Sequence, residues 1–181
     1  MKKIIVLICL VLVAAACQQK EEPKPRYEFP AGPVQGGQGG PIQGQDDTKL
    51  LREVVSKDPK NLDAWIKLGN VLMDTNRYSE AVEAYGKALE LDPRNVNVRV
   101  DMGTCYKNSG RPEIAVREYK KALELDPNHL NAHRNLAVVM ADDIKDKAQA
   151  AKEFEKYLQL APNAADAPQI RQFIQQVKGG K

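Results

Sequence analysis

Asp-Pro returns in this chain at a fixed interval: 34 residues separate Pro59 from Pro93, and another 34 separate Pro93 from Pro127. The neighbouring residues return with it, in Lys57-Asp58-Pro59-Lys60-Asn61-Leu62, Leu91-Asp92-Pro93-Arg94-Asn95-Val96 and Leu125-Asp126-Pro127-Asn128-His129-Leu130. Self-similarity at such a period belongs to a stacked array, because one unit of that length cannot bury its apolar face alone. An array of this kind presents a surface rather than a reaction centre, which points to binding.

With the repeats in register on the prolines, bulky and small residues recur at the same offsets. Trp65, Leu68, Gly69 and Leu72 mark a first helix A, and Ala81, Tyr85 and Ala88 mark its helix B. The second unit gives Met102, Gly103 and Tyr106, then Ala115, Tyr119 and Ala122. Glycine and alanine at helical spacing let two helices approach closely, and the aromatics fill the space beside them. Asn76 and Gly110 share an offset between the two helices, where a left-handed residue ends one helix and turns the chain. Asn61 and Asn95 follow the proline turns and suit the N-cap of the next helix.

This pattern resembles the tetratricopeptide repeat (TPR), whose signature reads Trp-x2-Leu-Gly-x2-Tyr, Ala-x3-Phe and Pro. The resemblance covers about residues 62–164 and is fullest in the first repeat, where Trp65, Leu68, Gly69, Ala81, Tyr85, Ala88 and Pro93 are in place. Arg99 replaces the tryptophan in the second repeat. In the third, His133 takes that position and Ala137 takes the glycine position. The third span, Pro127 to Pro162, is 35 residues, which places an extra residue within Asp142-Asp143-Ile144-Lys145-Asp146-Lys147; this stretch also lacks the Gly or Asn turn. Tyr157 stands where a small residue is expected. The resemblance implies an all-α fold, a right-handed α-solenoid of about three helix-turn-helix repeats over residues 62–95, 96–129 and 130–164.

The flanks read as caps that shield the apolar ends of the array. Leu50, Leu51, Val54 and Val55 give a short apolar face within 47–58. Ile170, Phe173, Ile174 and Val177 form a stripe on a helix over 166–178 that Pro168 can start, completing a repeat domain at 47–179.

Residues 1–16 form a different kind of segment. Lys2-Lys3 precede a 13-residue apolar run, Ile4 to Ala16, which has the build of a secretory signal and is too short to span a bilayer comfortably. Ala14-Ala15-Ala16 lead directly into Cys17, and this resembles the bacterial lipoprotein signal. The resemblance implies cleavage before Cys17 and a covalent acyl lipid (palmitate in kind) on that cysteine; with Gln18 next, it implies the outer membrane, facing the periplasm, in a cell with two membranes. An ordinary signal cleaved after Ala16 is the other reading. Either way the mature chain carries 25 basic against 24 acidic residues, interspersed, which leaves no polybasic stripe for nucleic acid.

From 17 to 46 the chain is rich in Gln, Gly and Pro and holds too little apolar surface to offset the entropy of ordering. As a flexible tether it reaches roughly 30 Å on average and about 100 Å at full stretch. Cys105 would be the one thiol left free, on helix A of the second repeat between Met102 and Tyr106, where a buried thiol is expected. His129 and His133, four apart, have no third ligand placed by sequence, so neither a metal nor any other non-covalent cofactor is expected. Ser56, Ser79 and Ser109 lie at helix ends without a base in view, and no glycine-rich phosphate loop is present; no enzyme is expected.

The surface lined by the A helices remains as the candidate site. The TPR resemblance implies partner-facing positions at Ile66, Asn70 and Met73, at Val100, Thr104 and Lys107, and at Arg134 and Val138. They describe an apolar groove with amide and basic flanks, suited to an extended peptide or one face of a partner helix, and not to a small-molecule substrate. Ile66 and Val100 could equally pack between neighbouring helices. Some TPR arrays grip a C-terminal carboxylate with Lys, Asn and Arg; here only Asn70 fits, with Ile66, Asp101, Asn131 and Asn135 at the other places. The expectation is a membrane-anchored adaptor or scaffold for a protein partner in cell-envelope assembly or secretion. The alternative is a chaperone-like holder of exported or unfolded polypeptides, as in pilus, outer-membrane protein or cytochrome biogenesis.

Overall fold

The computed structural model describes residues 44–180, and eight α-helices with no strand make up that part. In chain order they are α1 (Gly44–Lys57), α2 (Leu62–Asp74), α3 (Tyr78–Leu91), α4 (Val96–Asn108), α5 (Pro112–Leu125), α6 (Leu130–Asp142), α7 (Lys147–Leu160) and α8 (Ala167–Gly179). Each helix packs on its chain neighbours, and α4 also touches α6. The result is an all-α solenoid of hairpins α2–α3, α4–α5 and α6–α7, closed by α1 and α8. The expected lipid anchor at Cys17 and most of the expected tether lie outside the described residues. The helical array begins at Gly44, so the last residues expected in the tether belong to α1.

The repeating Asp-Pro has a local cause. Asp58, Asp92 and Asp126 each accept, through Oδ1, a hydrogen bond from the backbone N–H two residues on, at 3.2, 3.1 and 3.0 Å. This Asx turn, with proline between, stops one helix and sets up the next. The next helix is then capped: Asn61 accepts from the Ala64 N–H at 2.9 Å, and Asn95 from the Val98 N–H at 3.2 Å. In the third repeat His129 takes this role, its Nδ1 accepting from the Ala132 N–H at 3.2 Å.

Within the hairpins, Asn76 and Gly110 adopt left-handed φ values of 58° and 75°. Arg77 and Arg111 then donate from their backbone N–H groups to the carbonyls of Leu72 and Tyr106 at 2.8 and 2.9 Å, closing the helix ends. The third hairpin has no Gly or Asn there, and Lys145 adopts φ 66° one residue before the Asp146 cap. The added residue thus lies in the turn 143–146, leaving both flanking helices whole.

Gly69 and Gly103 are where the A and B helices meet most closely. A Cβ on Gly69 would run into the Tyr85 ring, and one on Gly103 would lie 2.7 Å from Tyr119 Cε1. The third repeat has Ala137 facing that way and Phe154 in the tyrosine's place, both fully buried. Two buried clusters result. One gathers Val55, Leu68, Leu72, Tyr85, Ala88, Val98, Met102 and Cys105; the other gathers Val100, Tyr119, Leu136, Val139, Phe154, Tyr157, Ile170 and Phe173. Helix α4 supplies both, through opposite faces. Phe154 and Phe173 meet edge to face at 5.5 Å, which fastens α8. At the other end, Val55 is buried and Leu51 and Val54 partly so, whereas Leu50, expected on the same apolar face, is 61% exposed.

The tryptophan position shows why its occupant can change. Trp65 Nε1 donates to the Pro59 carbonyl at 3.0 Å, Arg99 Nη2 to that of Pro93 at 2.9 Å, and His133 Nε2 lies 2.9 Å from that of Pro127. All three close the same turn. Opposite them, Ala84 gives way to Glu118 and Glu153, which pair with Arg99 and His133 at 2.8 Å each. The exchange leaves the buried Arg99 Nε without a partner, a cost the indole avoids.

Candidate functional site

The A helices place the eight expected partner-facing residues in two groups. Ile66, Asn70, Thr104, Lys107 and Val138 are partly exposed. Met73, Val100 and Arg134 are buried, with 9%, 3% and 6% of their surface accessible, so they do not present themselves to a partner. Val100 belongs to the second core cluster, the packing alternative for that residue, while Ile66 only leans against the first.

Polar side chains along this face are tied to the tyrosines behind it. Tyr85 Oη donates to Asn70 Oδ1 at 2.8 Å and lies 3.9 Å from Met73 Sδ. Tyr119 Oη is 3.1 Å from Thr104 Oγ1, which Asn135 Nδ2 approaches at 3.4 Å. Burial pushes both phenols well above their usual range, so each remains a neutral hydroxyl. These bonds fix the side-chain orientation of Asn70 and Thr104, giving the face preset amide and hydroxyl groups.

Arg134 has another task. Its Nε donates to Asp166 Oδ2 at 2.7 Å, and Tyr157 Oη donates to Asp166 Oδ1 at 2.8 Å. All three side chains are buried, joining α6, α7 and the start of α8. Desolvation, reinforced by Asp166, pushes the Tyr157 phenol up to about 12. The large residue at a position expected to be small is therefore the donor that completes a buried carboxylate. Sequence offered one signal for this network, the unexplained Tyr157.

Two carboxylates on the A-helix face have no such partner. Asp101, on α4, is recessed between exposed and buried, and Asp74 closes α2. Desolvation first, and the Asp74 charge second, push the Asp101 carboxyl up to about 6. Asp101 is on α4, and Asp74 is the last residue of α2. Neither makes a hydrogen bond or ion pair among the described residues, and Lys107 forms no ion pair with them. The Cys105 thiol beside them is fully buried and pushed up to about 12, so it stays protonated and inert.

The two histidines do not converge on a common point. His129 caps α6 and directs Nε2 to Asn97 Oδ1 at 2.9 Å, whereas His133 is engaged by Glu153 and Pro127. Among the described residues no group of three His, Cys, Asp or Glu side chains is placed to hold a metal ion. No helix there is long and apolar enough to cross a membrane.

Known proteins share this architecture. The family described as "Cytochrome c-type biogenesis protein H TPR domain" matches residues 44–168. Among solved structures, a crystal structure of MamA superposes with a TM-score of 0.67 at 23% identity, over 73% of this chain and 77% of that one. MamA MSR-1 C2 gives 0.59 at 30% identity, over 65% and 67%. MamA 41-end from Desulfovibrio magneticus RS-1 gives 0.63 at 21% identity, over 67% and 68%. No curated protein matches the chain.

Proposed function

Since this chain belongs to the family of the cytochrome c-type biogenesis protein H TPR domain, we propose that it is a non-catalytic scaffold that docks a protein partner along its A-helix face. The observation that carries this reading is the row of Ile66, Asn70, Thr104, Lys107 and Val138, apolar and polar by turns, with its amide and hydroxyl groups preset by buried tyrosines. Such a face suits an extended segment or one side of a helix. The signal at residues 1–16 and Cys17 support a lipid-anchored protein of the cell envelope, on the outer membrane of a cell that has two. No metal or other cofactor takes part in this function.

Photocrosslinking in cells from Lys107 tests the docking face, with Ile66→Asp and Val138→Asp as variants. One dominant protein, lost in both variants, is expected; capture unaffected by either would move binding off this face. Replacing Cys17 with Ala should release the protein to the soluble fraction or block its processing, and unchanged membrane association would sink the anchor.

The family match favours a second reading, a holder of unfolded exported polypeptides such as apocytochromes. A holder suppresses aggregation of unrelated unfolded proteins; a scaffold retains one native partner. Aggregation assays with a reduced, unrelated client separate the two.

A further inference from the structure

The chain has two histidines, His129 and His133, one turn apart at the start of α6, and their surroundings demand opposite protonation states. His129 Nδ1 accepts from the Ala132 N–H at 3.2 Å, so that nitrogen must be bare, and Nε2–H then donates to Asn97 Oδ1 at 2.9 Å. This ring is neutral. His133 is buried with an acceptor at each nitrogen: Glu153 Oε2 lies 2.8 Å from Nδ1, and the Pro127 carbonyl lies 2.9 Å from Nε2. A neutral imidazole has one N–H, serves one of these acceptors and turns a lone pair toward the other. Both are served only when the His133–Glu153 pair carries one more proton. That proton belongs on the ring, because a free imidazole binds a proton about a hundredfold more tightly than a free carboxylate. Gln149 Nε2 also donates to Glu153 Oε1 at 2.9 Å, which favours the ionised carboxylate.

The surrounding charges leave this assignment standing. From α7 the group facing His133 is Glu153, and from its own helix it is the neutral His129, while Arg134 is turned to Asp166. In the turn, Asp126 bears on His129. On α4 and α5, Arg99, Glu118 and Lys121 are paired with one another, and α4 offers His129 only the uncharged Asn97. Among the described residues no second ion pair reaches His133.

We propose that the turn at Pro127 is a proton-gated joint between the second and third repeats, closed by His133 as an imidazolium and His129 as a neutral ring. The contribution of His133 is complete where imidazole is protonated and is lost as pH rises, when either the Pro127 carbonyl or the Glu153 carboxylate is left facing a lone pair. The contribution of His129 is lost as pH falls, when a proton on Nδ1 removes the cap of α6. The start of α6 is therefore secure within a pH window bounded on both sides. The other repeats lack this device, since Trp65 and Arg99 donate to the equivalent carbonyls without titrating in this range, and Asn61 and Asn95 cap their helices at any pH. The joint is independent of what the A-helix face binds.

Nitrogen NMR of the full chain tests the protonation states directly, because only two imidazoles contribute. At pH 7 the expected result is two protonated nitrogens on His133 and one on His129. A bare nitrogen on His133 at that pH overturns the proposal. Glu153→Gln should return His133 to a single N–H, since an amide can donate to a bare Nδ1. Thermal melts between pH 6 and pH 9 read the consequence for the fold. His133→Arg, which sets the Arg99–Glu118 pairing into the third repeat, should cancel the alkaline loss. Asp101 also responds to pH near 6, so the reading is the difference between wild type and variant. Wild type should lose roughly 3–6 °C more than His133→Arg across this range, and parallel curves overturn the proposal. The NMR reading needs no substitution and decides the matter if the variant fails to fold.

Discussion

The first and third repeats reach the same shape by different physics. The first relies on fit: Trp65 packed against the cluster that holds Ala84, Gly69 against the Tyr85 ring, and a fully buried Ala88. The third replaces each of these, with His133 facing Glu153, Ala137 beside Phe154, and Tyr157 bound to the Arg134–Asp166 pair. Steric complementarity tolerates little but loses little when solvent conditions change. Buried charges accept varied residues, yet each member then depends on the others remaining.

The sharpest way to break the comparison is to remove one charge from the third repeat. Arg134→Ala leaves Asp166 buried with Tyr157 alone and should cost about 3–5 kcal/mol in denaturant unfolding. A loss below about 1 kcal/mol would show that the pair is solvated in solution.

Next in size is the steric counterpart. Gly69→Ala should cost about 1–3 kcal/mol, because its Cβ meets the ring of Tyr85, which is fully buried and held by its hydrogen bond to Asn70. The reverse change in the third repeat, Ala137→Gly, removes a buried methyl beside Phe154 and weakens α6 by about 1 kcal/mol. Equal costs at the two sites would dissolve the distinction.

Asp101 offers an effect of opposite sign. Its carboxyl is raised to about 6 in the fold from an ordinary value of 3.8, so ionising it costs more folded than unfolded. Stability contributed by the protonated form is present below the ordinary value and is lost as pH rises through about 6. Asp101→Asn should therefore stabilise the array by about 1–2 kcal/mol at neutral pH, with no gain near pH 3. Chemical unfolding at the two pH values reads this directly.

The smallest effect concerns His129, whose pKa is lowered chiefly by burial, with Asp126 raising it and His133 lowering it. Its cap needs an unprotonated Nδ1, so the capping stability is present above the imidazole's ordinary range and is lost as pH falls through the lowered folded value. His129→Asn, the residue used at the other two caps, should remove this acid sensitivity while changing neutral stability by less than about 1 kcal/mol. A melting-temperature profile that keeps its acid slope in the variant would assign the slope elsewhere.

These contrasts also explain what the amino-acid order revealed. Contacts of short range were legible: the Asx turns, the Asn61 and Asn95 caps, the left-handed Asn76 and Gly110, and the added residue of the third hairpin are all governed by neighbours a few residues away. Asp166 was not, because its partners lie 32 and 9 residues distant and no periodicity links them. For the same reason Val100 and Arg134 looked available: their offsets match partner-facing positions, but α6 and α8 cover them from the side. Asp101 was visible as an acid at a clamp position, yet its missing counter-ion emerged only once the neighbouring helices were in place. The start of α1 at Gly44 defeated composition, since a helix already packed downstream can extend backward through polar residues at little cost.

The hydrogen bond to each proline carbonyl has one more implication. An indole, a guanidinium and an imidazole close their turns at nearly the same distance, and Arg171 reaches the Pro162 carbonyl at 2.6 Å. The step from one hairpin to the next is therefore gauged by a shared acceptor on the backbone, not by the side chain that meets it. A gene encoding such a chain can lengthen by copying any one unit, and the copy can drift in sequence at this position without altering the pitch at which the next unit is laid down.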